Sequence, residues 1–257
     1  MTQYKNYASI AVLILSISFA ACRKENKTTT LNIGFSHSVG NKAFIQDSLQ
    51  YVNAAGNHYE VNDLQYFISE VILHKSDGEN VAIITDNGIH YVDIDIPGTL
   101  SWNIGQQIPT GNYTSVSFTF GINEAKNKTG LFLNPPQRDM FWPDPMGGGY
   151  HYLKMNGQWV DTLDELMLFN FHIGIGMMEG MGFVQNYFTV NVPNSGANLT
   201  SDADQKLLLN MDIASWFETP ILWDWNTIGG SIMQNQGAMH MACENGADAF
   251  SCKWSNN

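Results

Sequence analysis

Short apolar stretches of period two, separated by turn dipeptides, recur along most of the chain and leave room for little but β-structure. Leu31, Ile33, Phe35 and His37 alternate with polar residues. Successive side chains of a strand point to opposite faces, so these four share one face, with His37 at its end. Residues 64–74 are rich in Ile, Val, Tyr and Phe, and Asp77-Gly78 turns them towards 81–85. Asn87-Gly88 is a second hairpin signal, leading to 89–94. Val116, Phe118 and Phe120 alternate in the next strand, and 187–192 and 207–213 add two more. A helical pattern is confined to 237–250. The number of strands and turns predicts a mainly β chain, an antiparallel β-sandwich with few short helices.

The N-terminus predicts export. Lys5 gives a positive n-region, residues 10–19 form a short apolar run, and Ala20-Ala21-Cys22 follows. The run is too short for a comfortable membrane span and has signal-peptide form. A Cys directly after two small residues has the form of a bacterial lipoprotein cleavage site. Residues 1–21 are therefore read as a lipoprotein signal peptide, Cys22 as the lipidated residue and 22–30 as a flexible tether. A single β domain is expected over 31–257, because no linker or internal repeat interrupts it. The expected location is the bacterial cell envelope, lipid-anchored, periplasmic or surface-exposed. Loss of Lys5 changes the net charge from −12 to −13. That balance argues against nucleic acid, whose phosphates demand Lys and Arg. Cys243 and Cys252 are the two remaining thiols, and an oxidising compartment predicts a disulfide between them.

The chemistry concentrates in residues 140–174. Met140-Phe-Trp142-Pro-Asp144-Pro-Met146 runs into Gly147-Gly-Gly149, then Tyr150-His151-Tyr152 and, further on, Phe171-His172-Ile-Gly174. Consecutive glycines let the backbone take φ > 0 and pass close to another group. On strand parity, His151 is expected to share a face with Leu153 and Met155, and His172 to lie opposite Phe169, Phe171 and Ile173. A histidine interrupting an apolar strand needs a partner for both ring nitrogens, and a metal, a carbonyl or a carboxylate would serve. Imidazole suits copper, and thioether favours Cu(I). His37, His151 and His172 are the candidate metal ligands, with Trp142 and Met146 at the edge of the site and Trp142 the candidate for oxidation. His58, His74 and His90 sit beside turns and are read as surface residues. Met239-His240-Met241 is a soft trio whose adjacent residues cannot face one way. Met177, Met178 and Met181 flank glycines in a loop and are placed outside the site.

In order along the chain stand Phe35-Ser-His37, YEVNDLQYFISEVIL over 59–73, Tyr91-Val-Asp93, FTFGIN over 118–123, Met140-Phe-Trp142, GYHYLKMNG over 149–157 and Phe171-His-Ile-Gly174. This series resembles the MbnP-like family of bacterial copper-binding proteins over most of the exported part. The resemblance implies a β-sandwich that binds copper through histidine and a Trp oxidised to kynurenine at the site. It also implies a di-haem cytochrome c peroxidase-like partner. Trp142-Pro-Asp-Pro-Met146 stands where the family usually carries Trp-x-Trp.

Three classes of function are compatible with these residues. The first is a copper-binding exported lipoprotein acting in copper acquisition or redox. The second is a non-catalytic surface binding module or adhesin with structural histidines. An enzyme ranks last: there is no GxSxG, HExxH, Walker loop or CxxCH, and Asp161, Asp164 and Glu165 lie on a polar turn.

Overall fold

The computed structural model describes residues 27–256. Its main strands, in chain order, are β1 (Thr28–Val39), β2 (His58–Lys75), β3 (Asn80–Ala82), β4 (Ile89–Asp93), β5 (Ser101–Pro109), β6 (Gly111–Phe120), β7 (Leu153–Val160), β8 (Leu166–Ile173), β9 (Gly176–Met178), β10 (Gly182–Val184), β11 (Phe188–Val192), β12 (Gln205–Asp212) and β13 (Phe250–Asn256). Helix α1 (Gln236–Gly246) precedes the last strand. One sheet runs β13–β12–β1, with β5 and the short strand Lys42–Ala43 also on β1. The other runs β8–β7–β2–β6–β11, with β3 and β4 added to β2. The β-sandwich read from the alternation is therefore the architecture.

Three local expectations change. The tether is shorter than predicted, because Thr28 to Thr30 already belong to β1, and Thr28 and Thr29 pair with β5. The proposed signal peptide and Cys22 lie outside the described residues. The sandwich is not wholly antiparallel: β1 and β12 run parallel from Leu31↔Gln205 to Ser38↔Asp212. Parallel neighbours need a long crossover, and here most of the second sheet is built between them. Asn87-Gly88 does not close a hairpin between β3 and β4. Asp86, Asn87 and Gly88 take φ of 51°, 59° and 69°, and both strands pair instead with β2, at Ile72–His74 and Gln65–Ser69.

Strand β2 organises the site. Its first half pairs with β7 from Tyr59↔Trp159 to Tyr66↔Leu153, and its second half with β6 from Ile68↔Phe120 to Lys75↔Tyr113. Directly paired residues share a face. Tyr66, Leu153 and Ile173 are therefore on the inner face, and Gln65, Lys154 and His172 on the outer one. Burial agrees: Phe169, Phe171 and Ile173 of β8 are buried, while Leu166, Met167, Leu168 and Asn170 are exposed. The interior is strongly aromatic, with Phe120, Phe171, Trp216, Phe217, Trp223 and Trp225 fully or almost fully buried.

Candidate metal centre

The residues before β7 build the site. Met140 to Trp142 and Gly149 to His151 run antiparallel as a miniature hairpin. Trp142 N–H donates to Gly149 O (2.8 Å), and His151 N–H to Met140 O (2.7 Å). Between them the three glycines take φ of 115°, 70° and 79°. Space dictates glycine here as well as conformation. A Cβ at Gly147 would stand 2.6 Å from Ile175, at Gly148 2.7 Å from Thr129 Oγ1, and at Gly149 2.6 Å from Asn127 Oδ1. Asp144, a neighbour of this loop, accepts from the Thr129 hydroxyl (2.7 Å) and holds the turn closed.

This loop brings Trp142 and His151 onto His172. The His151 ring lies edge-on to Trp142, with centroids 4.6 Å apart, and edge-on to His172 at 5.2 Å. Strand parity fails for His151, because regular pairing begins only at Leu153. Tyr152 bridges the junction, donating its N–H to Ile173 O and accepting from Phe67 N–H. The prediction that His151 would face inward with Leu153 and Met155 is thereby corrected, whereas His172 lies opposite Phe171 and Ile173 as parity requires.

Hydrogen bonding fixes which ring nitrogens are bare. His151 Nδ1 is 2.9 Å from Met140 O. A carbonyl only accepts, so Nδ1 carries the proton and Nε2 a lone pair. That Nε2 is buried without a hydrogen-bond partner, in a residue only 4% exposed. An unsatisfied buried polar atom is costly and calls for an explanation. His172 Nε2 is 2.8 Å from Asn156 Oδ1, and Asn156 Nδ2 donates to Asp63 Oδ2 at 3.2 Å. Asp63 thus orients the amide so that its oxygen faces the ring. His172 therefore donates from Nε2 and keeps its lone pair on Nδ1. Burial lowers the pKa of His151 to about 3 and that of His172 to about 4, and nearby Lys154 adds to both shifts. Both rings are neutral at pH 7, the form that ligates metal. The Lys154 ammonium donates to Asp139 O (2.9 Å), and desolvation lowers its own pKa. Asn156, Asp63, Met140 O and Lys154 carried no signal in the sequence, since their roles depend on which strands become neighbours.

Trp142 sits at the centre of this group but is completely buried. Its indole N–H donates to Met146 O at 3.0 Å, and the flat face of Gly174 lies against its ring. An indole exposed for direct contact with a partner is therefore not what the fold presents. Met146 is partly buried and contributes its carbonyl to Trp142.

His37 does not join the pair. From the first sheet its Nε2 meets the hydroxyl of Tyr66, on the inner face of the second sheet, at 3.0 Å, whereas His172 is on the outer face of that second sheet. Burial holds the Tyr66 phenol protonated and lowers the His37 pKa to about 4, so both groups are neutral and Nε2 is engaged by the phenol, whichever of the two donates. The predicted three-histidine cluster thus divides into a pair and a separate core histidine. Among the described residues, no three His, Cys, Asp or Glu side chains gather as a ready metal site.

The other histidines differ in detail from expectation. His90 is not a free surface ring: it is stacked between Phe35 (5.0 Å) and Trp102 (4.9 Å), with Nε2 on Thr99 O. His74 bridges Asn80 and Ser117 across three strands. His240 is exposed and pairs with Glu244, while Met239 is buried in the helix, so that trio does not converge. The Cys243–Cys252 disulfide is not formed. Both thiols are free, Cys243 donating to Asn186 O, and burial raises their pKa values to about 12 and 11.

No curated protein sequence matches this chain. Among solved structures, MbnP from Methylosinus trichosporium superposes with a TM-score of 0.51 at 14% identity, over 74% of this chain and 78% of that one. At that identity the likeness establishes the shared fold alone. The family model for MbnP matches residues 28–238, from the first strand into α1 and across Trp142, His151 and His172, and the chain belongs to the MbnP family.

Proposed function

We propose that this protein is an exported copper-binding protein of the bacterial envelope, held by a lipid on Cys22. Copper would be held by His151 Nε2 and His172 Nδ1, with Trp142 or its oxidised form at the edge. The observation that carries this reading is the buried, unpartnered Nε2 of His151 beside a second neutral imidazole. Imidazole donors suit copper and need no thiolate. Bound copper would supply a redox-active, Lewis-acidic centre; the chain's own part is to fix both tautomers, through Met140 O and Asn156, and to keep solvent from the indole. A di-haem cytochrome c peroxidase-like protein is the partner proposed for oxidising Trp142. Because Trp142 is buried, electrons would leave it through intervening residues rather than by direct contact. The protein itself is read as a copper carrier in acquisition or redox, without turnover of its own.

A second reading is a surface binding module with structural histidines. The bond from His172 to Asn156 and the cation of Lys154 near both rings favour it, since a fixed positive charge opposes a metal ion. Copper titration of the purified chain against a competing chelator separates the two. The copper reading expects tight binding that His172→Ala abolishes and His58→Ala leaves intact. Asn156→Ala, which only frees the ring, should weaken it by about 10–100-fold, the usual effect of an outer-shell ligand support. Equal affinity in wild type and His172→Ala would reject the site.

A further inference from the structure

Strand β8 does not end at the histidine pair. Past His172 the chain passes Gly174 against the Trp142 indole and Gly176 against Gln236 and Met239 of α1, and then leaves the sandwich as the two-stranded hairpin β9–β10. That hairpin carries Met177, Met178, Met181 and Phe183, exposed by 57%, 43%, 73% and 52%. Methionine ordinarily fills irregular gaps in a core. Here three of them within five residues fill nothing and stand in water, so packing does not account for them.

The hairpin's turn brings Met178 and Met181 close, while Met177, next to Met178 on β9, starts from the opposite face and depends on its side chain's reach. Met181 N–H donates to Met178 O (3.0 Å), which makes the two methionines the first and last residues of a tight turn. Such residues have Cα atoms within about 7 Å. Gly180 and Gly182, at φ of 77° and 80°, let the chain reverse there. Met177 pairs with Phe183 across the two strands, so the sulfur and the aromatic ring share a face. Three rotatable bonds give each thioether a wide reach, and the exposed Glu179 carboxylate lies within the turn. Thioethers are soft donors that select Cu(I) over harder divalent ions.

We infer that the Met177–Met181 hairpin is a surface Cu(I)-binding site, separate from the histidine pair and placed to load it. The loading role rests on the copper reading above; the binding does not. Met177 lies five positions beyond His172, about 17 Å at full extension, and the intervening segment is the one that packs on Trp142. Passage between the sites would break thioether–copper bonds and form imidazole–copper bonds, with no change of oxidation state.

The test is an anaerobic Cu(I) titration of the purified chain against a chromophoric chelator. It compares wild type with the triple variant Met177→Leu, Met178→Leu, Met181→Leu and with His151→Asn/His172→Asn. Leucine keeps the size and apolarity of the hairpin but has no donor. The expected result is loss of one Cu(I) equivalent in the leucine variant and its retention in the asparagine variant. Methyl resonances of labelled methionine should shift at Met177, Met178 and Met181 when Ag(I), a redox-inert mimic, is added. If the leucine variant takes up Cu(I) like wild type, or the shifts fall on Met233 and Met241 instead, the inference is overturned while the histidine reading stands. If only the leucine substitutions remove copper, the histidine reading fails and the hairpin site stands. Absence of Cu(I) uptake by wild type overturns both.

Discussion

Acidification of the copper-free protein from pH 7 to pH 5 should cost roughly 5–6 kcal/mol of folding stability, chiefly through three rings. Burial lowers the pKa of His37 to about 4, of His151 to about 3 and of His172 to about 4. In the unfolded chain each returns to about 6.5. Between those limits the unfolded state binds a proton per histidine that the folded state does not, so stability rises with pH in this window. It is fully present above about pH 6.5 and is lost as pH falls towards 4. Each ring contributes a slope of about 1.4 kcal/mol per pH unit. At pH 5 that amounts to roughly 2 kcal/mol per ring, against a typical domain stability of about 5–15 kcal/mol. Asp212 and Glu218, whose carboxyls burial holds above their usual range, act in the opposite sense and offset part of the loss. Urea unfolding followed by Trp fluorescence at pH 7, 6 and 5 measures the slope, and His37→Gln should flatten it by about one third. A slope below about 1.4 kcal/mol per unit, less than one proton, would show that these rings titrate as if in water and would refute the reasoning.

Gly174→Ala would put a Cβ 2.5 Å from the Trp142 ring; it should destabilise the domain by about 1–3 kcal/mol, the usual cost of overpacking, and weaken copper binding, and wild-type values for both would remove Trp142 from the site. Thiol labelling of the unfolded, unreduced domain should find Cys243 and Cys252 both reactive, and finding neither would restore the disulfide. In protein from its native host, peptide mapping should confine any oxidative mass change on Trp to Trp142; a change on Trp216 or Trp223 instead would move the redox centre into the core.

The sequence by itself determined the class of fold and the facing of single strands. Period-two alternation is a local property, so Leu31, Ile33 and Phe35 were readable as one buried face, and His172 as opposite Phe171, with no knowledge of neighbours. The glycine run was legible for the same reason: three adjacent residues without Cβ announce a backbone only glycine can follow. What the tertiary structure decided is which strands meet. His37 and His172 both end apolar strands, yet His37 belongs to the other sheet and meets Tyr66 in the interior, while pairing through Tyr66, Leu153 and Ile173 leaves His172 on the outer face. His151 reached His172 only because strand regularity breaks at Tyr152. Cys243 and Cys252 are close in sequence but remain unbonded, one on a helix and one on the following strand. Register, sheet order and irregular junctions arise from contacts between residues distant in sequence, so no local pattern encodes them.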